Sequence, residues 1–496
     1  MDQTWCKDEI HSFTIDGQGY LLQVTTGRAF KVDDLTQAIV SLPDAMLQGD
    51  EPALSVAGFR AEEIAVALQE LKETGLILRC AEREMRDVAL KEKFLSLSRD
   101  GSEAKLGYLM LNVAEDCNLS CAYCYADSGK YQGSGVLMTR AVGEAALDYL
   151  FAEAQGQKRC ECTFFGGEPL LNFPLIKHLV AYGKQRAAEV GMEIGFGMTT
   201  NGTLLSEEVV AFLDEHRFGI LVSVDGPRET HDMTRRFRGG AGSYDQVVGG
   251  VSRLLRCKNI KLGSRSTVTP CDLDLIKIAR HMSEEIGFGM FHLEPATFGP
   301  FTPGGPLVMR EEEVVTYNER FAELVRFVLV RIGEGDIPGF HVLYSELNKL
   351  HRAEKRIRPC GMGTTLRVVS ANGDVYACHR LVGLKEHCLG SILGKTGGGA
   401  IKRFAPTLVP EKDECSKCWA RYVCGGDCPS EVMILQGDDR GYAPLRCLVR
   451  KHHLEWITWL YANLKELGQP VLERVLRVGD YDRSAQGTVQ ATSVPA

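Results

Sequence analysis

The chain has 496 residues, 44% of them apolar, with 57 Lys plus Arg against 65 Asp plus Glu. This is an ordinary globular composition with length for about two to four domains. A net charge of -8 excludes a general nucleic-acid binder, whose affinity rests on clustered positive charge, and no apolar run approaches the roughly 20 residues that a membrane span requires.

The first residues, MDQTWCKDEIHSF, lack a basic start followed by an apolar stretch. No secretion signal is read there, and a cytoplasmic location is expected. EIHSFTIDGQGYLLQVTTGRAFKVDD then alternates apolar and polar residues around Gly-containing turns, which predicts a small antiparallel sheet. Helical spacing at 61–74 places Ile64, Ala65, Leu68 and Leu71 on one face, closed by Gly75. Residues 8–82 thus form an α+β module, and 83–105 a charged helical linker.

From residue 106 to about 300, strands alternate with amphipathic helices. Strands are predicted near 107–113, 161–165, 193–199, 218–224, 261–269 and 288–294. Six β/α repeats imply a parallel sheet or incomplete barrel, with ligands at the C-terminal ends of its strands. FGPFTPGGP at 298–306 marks a boundary. A bridging region at 301–355, with a helix over about 310–332, leads into a cysteine-rich part at 356–450. Residues 451–496 hold a further short helix past Gly468 and a tail, SAQGTVQATSVPA, that is expected to be disordered.

Seventeen cysteines, an odd number, fit a disulfide scaffold poorly and thiolate metal ligands in a reducing compartment well. Ten are grouped. Cys117, Cys121 and Cys124 follow the first barrel strand in EDCNLSCAYCYADSG. Three thiolates at this spacing can hold three irons of a four-iron cluster and leave the fourth open, the alternative being a zinc knuckle completed from afar. Cys360, Cys378, Cys415, Cys418, Cys424, Cys428 and Cys447 form the second group, for which a two-zinc ribbon is the competing reading.

The CxxxCxxC signature with Tyr123 before its last cysteine resembles that of the radical SAM enzymes. Gly166, Gly167, Glu168 and Pro169 after the second strand match the family's GGEP motif, which implies binding of the methionine amino group of S-adenosylmethionine. Glycines there let backbone approach a ligand and expose carbonyl acceptors. TTNGT, with Thr200 and Asn201, and SVDGP, with Ser223 and Asp225, end the third and fourth strands and suit a ribose and a carboxylate. Arg265 resembles the family's carboxylate partner, the bland alternative being a surface strand arginine. His292–Ala296 is a weaker candidate for the adenine.

The second cysteine group resembles the SPASM extension of enzymes that modify peptides. The resemblance implies a partial (β/α)6 barrel with a winged-helix-like N-terminal module and a C-terminal SPASM domain. Three [4Fe-4S] clusters follow from it: one on Cys117, Cys121 and Cys124, one on Cys415, Cys418, Cys424 and Cys447, and one on Cys360, Cys378 and Cys428. The last set is one thiolate short. Cys388 can supply the fourth, although a structural thiol is the plainer reading.

The N-terminal module resembles PqqD-like precursor-recognition domains, which add a leader peptide to a sheet edge; the alternative is a structural cap. IHSF, TFFGGEP, SVDGPRETHDMTR and CGMGTTLRVVSANGDVYACHRLVG resemble the thioether-forming maturases of six-cysteine peptides (ranthipeptides) and of the quinohemoprotein amine dehydrogenase gamma subunit. That resemblance implies a Cys-containing peptide or small protein substrate, crosslinked from sulfur to a carbon of Asp or Glu. It also implies a reductant such as flavodoxin or ferredoxin. Formylglycine formation, epimerisation and carbon–carbon crosslinking use the same motifs and stay open, as does a non-catalytic zinc or iron-sulfur interaction protein.

Overall fold

In the computed structural model the described residues are 4–47, 56, 58–100, 105–131, 133, 135–297, 299–301, 307–394, 401–480 and 493–494. The N-terminal module is built on β1 (Trp5–Lys7), β2 (Ile10–Ile15), β3 (Gln18–Gln23), β4 (Ala29–Val32) and β5 (Ile77–Arg79). β2, β3 and β4 form an antiparallel sheet, and β1 pairs with β5. Asp16 and Gly17 link β2 to β3 with positive φ at both positions, the two-residue turn whose twist matches a hairpin. The helix Ala61–Glu73 buries Ile64, Ala67, Leu68 and Leu71 against Leu21, Leu35 and Ile39. Ala65, expected on that face, is exposed. At about 100° per residue, Ala67 falls on the stripe that starts at Ile64, and Ala65 does not.

The expected linker is the helix Cys80–Asp100. It anchors through Phe94, which is fully buried among Val24, Ile357, Leu408 and Tyr422. That one ring joins the N-terminal module to the cysteine-rich part, and truncating it to Ala costs about 3–5 kcal/mol.

Next come β6 (Tyr108–Glu115), β7 (Val136–Leu137), β8 (Arg159–Gly166), β9 (Glu193–Thr200), β10 (Gly219–Ser223), β11 (Lys261–Val268) and β12 (Phe291–Pro295). β6 and β8 to β12 are the six predicted strands. All run parallel in the order β12-β11-β10-β9-β8-β6, and β7 is a short antiparallel partner of β6. Strands buried on both faces read as apolar runs, as Leu109, Met110 and Leu111 do in β6. The connecting helices start on ordinary caps: Thr139 accepts from the Val142 amide and Ser206 from that of Val209.

The sheet does not stop at the barrel. Past β13 (Lys355–Arg356), β14 (Leu366–Val369) pairs in parallel with β6, from Leu366 opposite Tyr108 to Val369 opposite Leu111. β15 (Asp374–Tyr376) and β16 (Cys388–Ser391) continue it antiparallel. The cysteine-rich part is therefore hydrogen-bonded to the first barrel strand, although its boundary was expected to separate two units. The helix Glu311–Gly333 packs on Pro444–Glu466, where Phe321 stacks on His453 at 3.6 Å between centroids. The helix Gln469–Gly479 follows as expected. Most of the expected disordered tail, and Phe298 and 302–306 of the expected boundary, lie outside the described residues. Ser493–Val494, however, form β17 and pair with β13. Among the described residues no helix is long and apolar enough to cross a membrane.

Candidate functional site

Past β6 the chain turns into the loop that carries Cys117, Cys121 and Cys124. Three backbone bonds fasten it to the segment beyond β10: the Ser120 amide donates to Arg236 O at 2.8 Å, the Ala122 amide to Thr234 O at 2.9 Å, and the Arg238 amide to Asn118 O at 3.4 Å. Tyr123 pins it from below. Its hydroxyl donates to Asp225 Oδ2 at 2.6 Å and accepts from Arg235 Nη1 at 2.6 Å. Asn201 Nδ2 reaches Cys117 Sγ at 3.5 Å and Asn118 Oδ1 at 2.8 Å. Burial pushes Cys117 up to about 11 and Cys121 up to about 12, and each feels the charge of its neighbouring cysteines. Clustered thiols in this state stay protonated unless a cation takes the proton's place. The donor set fits a cluster held by three thiolates, with Cys117, Cys121 and Cys124 as the residues that would hold it.

The turn Gly166–Pro169 lies directly on this loop. Gly166 has φ +128°, and a Cβ there would collide with Ala114 O; one at Gly167 would collide with Asp116 O. In their place the Gly167 amide donates to Ala114 O and the Glu168 amide to Asp116 O, both at 2.8 Å. The glycines thus let the turn pack backbone to backbone against the cysteine loop, at the strand end where the sequence expects a ligand. Pro169 opens the 3-10 turn that follows.

Glu168 is fully buried and accepts from the Leu170 amide at 3.0 Å, Thr200 Oγ1 at 2.8 Å and the Asn201 amide at 2.7 Å. Burial nonetheless pushes it up to about 7, the three donors only partly opposing it. Asp225 is buried too. It takes the Thr267 amide at 3.0 Å and Thr234 Oγ1 at 3.4 Å besides Tyr123. Glu168, Thr200, Asn201 and Asp225, all expected to face a cofactor, are thus hydrogen-bonded to the protein itself, since buried polar groups need partners. Half-buried Ser223 and exposed Arg265, opposite each other in register, stay open at the rim.

In the second cysteine group, Cys360 and Cys378 both lie within electrostatic reach of Cys428, and Cys415, Cys418 and Cys447 all lie within reach of Cys424. Cys388 stands apart on β16, its thiol directed to Gly390 O at 3.4 Å. A cavity of about 350 Å³ adjoins both sets and the end of β12, including Leu293–Thr297. His292–Ala296 therefore runs beside the second cysteine group as well, and His292 stacks on His341 at 5.4 Å. Among the described residues no three or more Cys, His, Asp or Glu side chains converge on one ion position; a four-iron cluster takes its thiolates at separate corners. Arg446 bonds Asp427 at 3.0 Å and Glu431 at 3.4 Å, and Arg450 bonds Glu346 at 2.7 Å.

The N-terminal module docks beside the four-cysteine set. His11 stacks on Trp419, next to Cys418, at 3.7 Å and bonds Glu455 at 2.8 Å. Glu9 pairs with Arg421.

Three participants escaped the sequence reading. Arg235 and Asn118 lay inside segments singled out for other residues, with nothing in the sequence to show which cysteine they would face. His379 follows Cys378 directly, and its ring packs on Phe165 at 5.1 Å and on Tyr125 at 5.7 Å. Burial, then Arg380 and Arg265, pushes its imidazole down to about 3, so it is neutral.

A parallel partial barrel with a three-thiol loop at its first strand end is the architecture of a radical SAM domain, and residues 111–269 match the Radical SAM superfamily. Among similar proteins is the serine-type anaerobic sulfatase-maturating enzyme of Bacteroides thetaiotaomicron, 24% identical over 359 residues that cover 66% of this chain and 83% of that one. An uncharacterized protein of Methanocaldococcus jannaschii is 27% identical over 288 residues, 58% of this chain and 89% of its own. The fold is also that of native anSMEcpe with bound AdoMet and Cp18Cys peptide, with a TM-score of 0.59, 21% identity, and coverage of 73% of this chain and 99% of that one.

Proposed function

We propose that the chain is a radical S-adenosylmethionine enzyme that acts on a Cys-containing peptide or small protein and joins a Cys sulfur to a side-chain carbon of Asp, Glu or another residue. The observation that carries this reading is the place of Cys378. Its neighbour His379 packs against Tyr125, next to Cys124, and against Phe165, next to Gly166, so the three-cysteine set adjoins the loop of Cys117, Cys121 and Cys124. When bound, S-adenosylmethionine and the clusters supply a 5'-deoxyadenosyl radical, an iron open to an outside thiolate, and an acceptor for one electron.

The chain's own residues do the rest. Gly166–Pro169, Ser223 and Arg265 form the rim that takes the cofactor's methionine end, with Arg265 offering two parallel donors to a carboxylate. Tyr123, Asp225 and Arg235 hold the cysteine loop still. Neutral His379, beside Cys378, packs between that cysteine and the loop of Cys124 and shields the space between them from water. Residues 8–82 present the sheet edge to which a leader peptide adds. These features support likeness to the quinohemoprotein amine dehydrogenase gamma-subunit and six-cysteine-peptide maturases.

Mass spectrometry of a co-expressed Cys-rich peptide tests the reading. Each thioether removes two hydrogens and one alkylatable thiol. Similarity to the serine-type sulfatase-maturating enzyme favours a second reading, oxidation of a serine to formylglycine. That product also loses two hydrogens but leaves every thiol open to alkylation, and finding it would replace the first reading.

A further inference from the structure

Lys412 is 1% exposed, and its Nζ has no hydrogen-bond partner. A lysine is almost never buried this deeply without an anion, because removing an ammonium from water is costly unless the charge is paired. The carboxylates nearby do not supply one. Glu411 is exposed and accepts from the Leu408 amide at 3.1 Å. Asp413 and Glu414 are also exposed. Asp427 spends Oδ1 on the Cys428 amide at 2.7 Å and on Arg446 at 3.0 Å, and Oδ2 on the Ala443 amide at 2.6 Å.

Two cysteine-bearing loops flank the lysine instead. Its carbonyl accepts from the Ser416 amide at 2.8 Å, which folds residues 412–416 into a turn around Cys415. Its stem passes Gly426, between Cys424 and Cys428, with Cδ and Cε 3.9 Å from where a Cβ would sit. The ammonium is therefore enclosed between the two loops that carry Cys415 and Cys424. Lys412 and Cys415 lie within electrostatic reach of each other. Arg450 bonds Cys424 as well, but its charge is shared with Glu346 at 2.7 Å, whereas that of Lys412 is shared with no carboxylate.

We propose that Lys412 is the fixed counter-charge of an anionic iron-sulfur cluster held by Cys415, Cys418, Cys424 and Cys447, and that it raises the reduction potential of that cluster. The inference rests on the reading of those four cysteines as a cluster site. Four thiolates on a four-iron core leave a net negative charge that grows by one when an electron is added. A cation fixed in low dielectric therefore stabilises the reduced form more than the oxidised one. Cluster potentials are set by local charge and exposure in this way. Lys412 is thus a positioning residue for charge and touches no substrate.

The test compares Lys412→Met, which keeps the stem and removes the charge, with Lys412→Arg in the full-length, cluster-loaded chain. Iron and sulfide per chain are measured, and each cluster is titrated by electron paramagnetic resonance against potential. The signal lost in Cys418→Ala marks the cluster concerned. The expected result for Lys412→Met is full iron and a lower midpoint for that cluster alone, with Lys412→Arg close to the native chain. Loss of one cluster's iron in Lys412→Met but not in Lys412→Arg also supports the counter-charge. Unchanged midpoints in Lys412→Met with full iron overturn it, as does equal iron loss in both variants, which makes Lys412 a packing residue. If Cys418→Ala loses no iron from the native chain, the cluster reading itself is wrong, and the outcome is recognised before any lysine variant is made.

Discussion

The two groups of clustered cysteines lie in opposite electrostatic surroundings. Around Cys117, Cys121 and Cys124 one buried arginine, Arg235, meets two buried carboxylates, Asp225 and Glu168. Around the second group five cations, Lys412, Lys349, Arg356, Arg446 and Arg450, meet three buried carboxylates, Glu346, Asp427 and Glu431. Added electrons are stabilised by positive surroundings and opposed by negative ones.

The largest effect expected separates the sites outright. Replacing Cys117, Cys121 and Cys124 together by Ala abolishes 5'-deoxyadenosine release and removes about four of about twelve irons. The loop lies beyond the strand end and contributes no rung to the sheet that continues into β14, so the second group keeps its iron. Release of 5'-deoxyadenosine by the triple variant, or loss of all iron, contradicts the division into independent sites.

Redundancy provides the next contrast. Arg235→Met leaves Asp225 and Tyr123 buried without their cation, which costs about 3–5 kcal/mol in urea unfolding. Arg450→Met leaves Glu346 still bonded to Lys349 at 2.7 Å and near Arg356 at 3.7 Å, and costs less, about 1–2 kcal/mol. Equal losses erase the distinction between a single tether and a shared one.

Glu168 sharpens the comparison through pH. Its folded value of about 7 lies above the ordinary 4.5, so the native state keeps a proton that the unfolded chain releases between those values. Stability contributed by this group is full below the lower value and is lost as pH rises to the upper one, by a total of the order of 3 kcal/mol. Glu168→Gln flattens that slope whatever it does to absolute stability. The measurement is the urea midpoint at several pH values for both chains. Parallel curves mean that Glu168 ionises in the fold as it does in the unfolded chain.

Much of this was legible in the sequence because it is local. Six strands announce themselves by apolar runs, and the cysteine spacings and the GGEP turn fall on consecutive residues. What escaped is non-local. Arg235 lies 112 residues from the Tyr123 hydroxyl that it meets. The pairing of β14 with β6 joins positions more than 250 apart, as in the Ala371 amide bond to Glu115. No periodicity encodes either. The Gly166–Gly167 pair was recognised, but its steric partners Ala114 and Asp116 belong to another strand end.

The smallest effect expected is at Cys388, the sequence's only candidate for a fourth ligand to Cys360, Cys378 and Cys428. The structure directs its thiol to Gly390 O on its own strand and sets it opposite Tyr376. Serine has nearly the same shape and keeps a donor for that carbonyl. Cys388→Ser is therefore expected to change stability by less than about 1 kcal/mol and to leave iron content and 5'-deoxyadenosine release as they are. Loss of about four irons makes Cys388 a ligand after a rearrangement of β16. The three-cysteine site then closes on itself with no position for a substrate thiolate. Retained iron leaves that site with three protein thiolates beside His379, which is what capture of an outside sulfur requires.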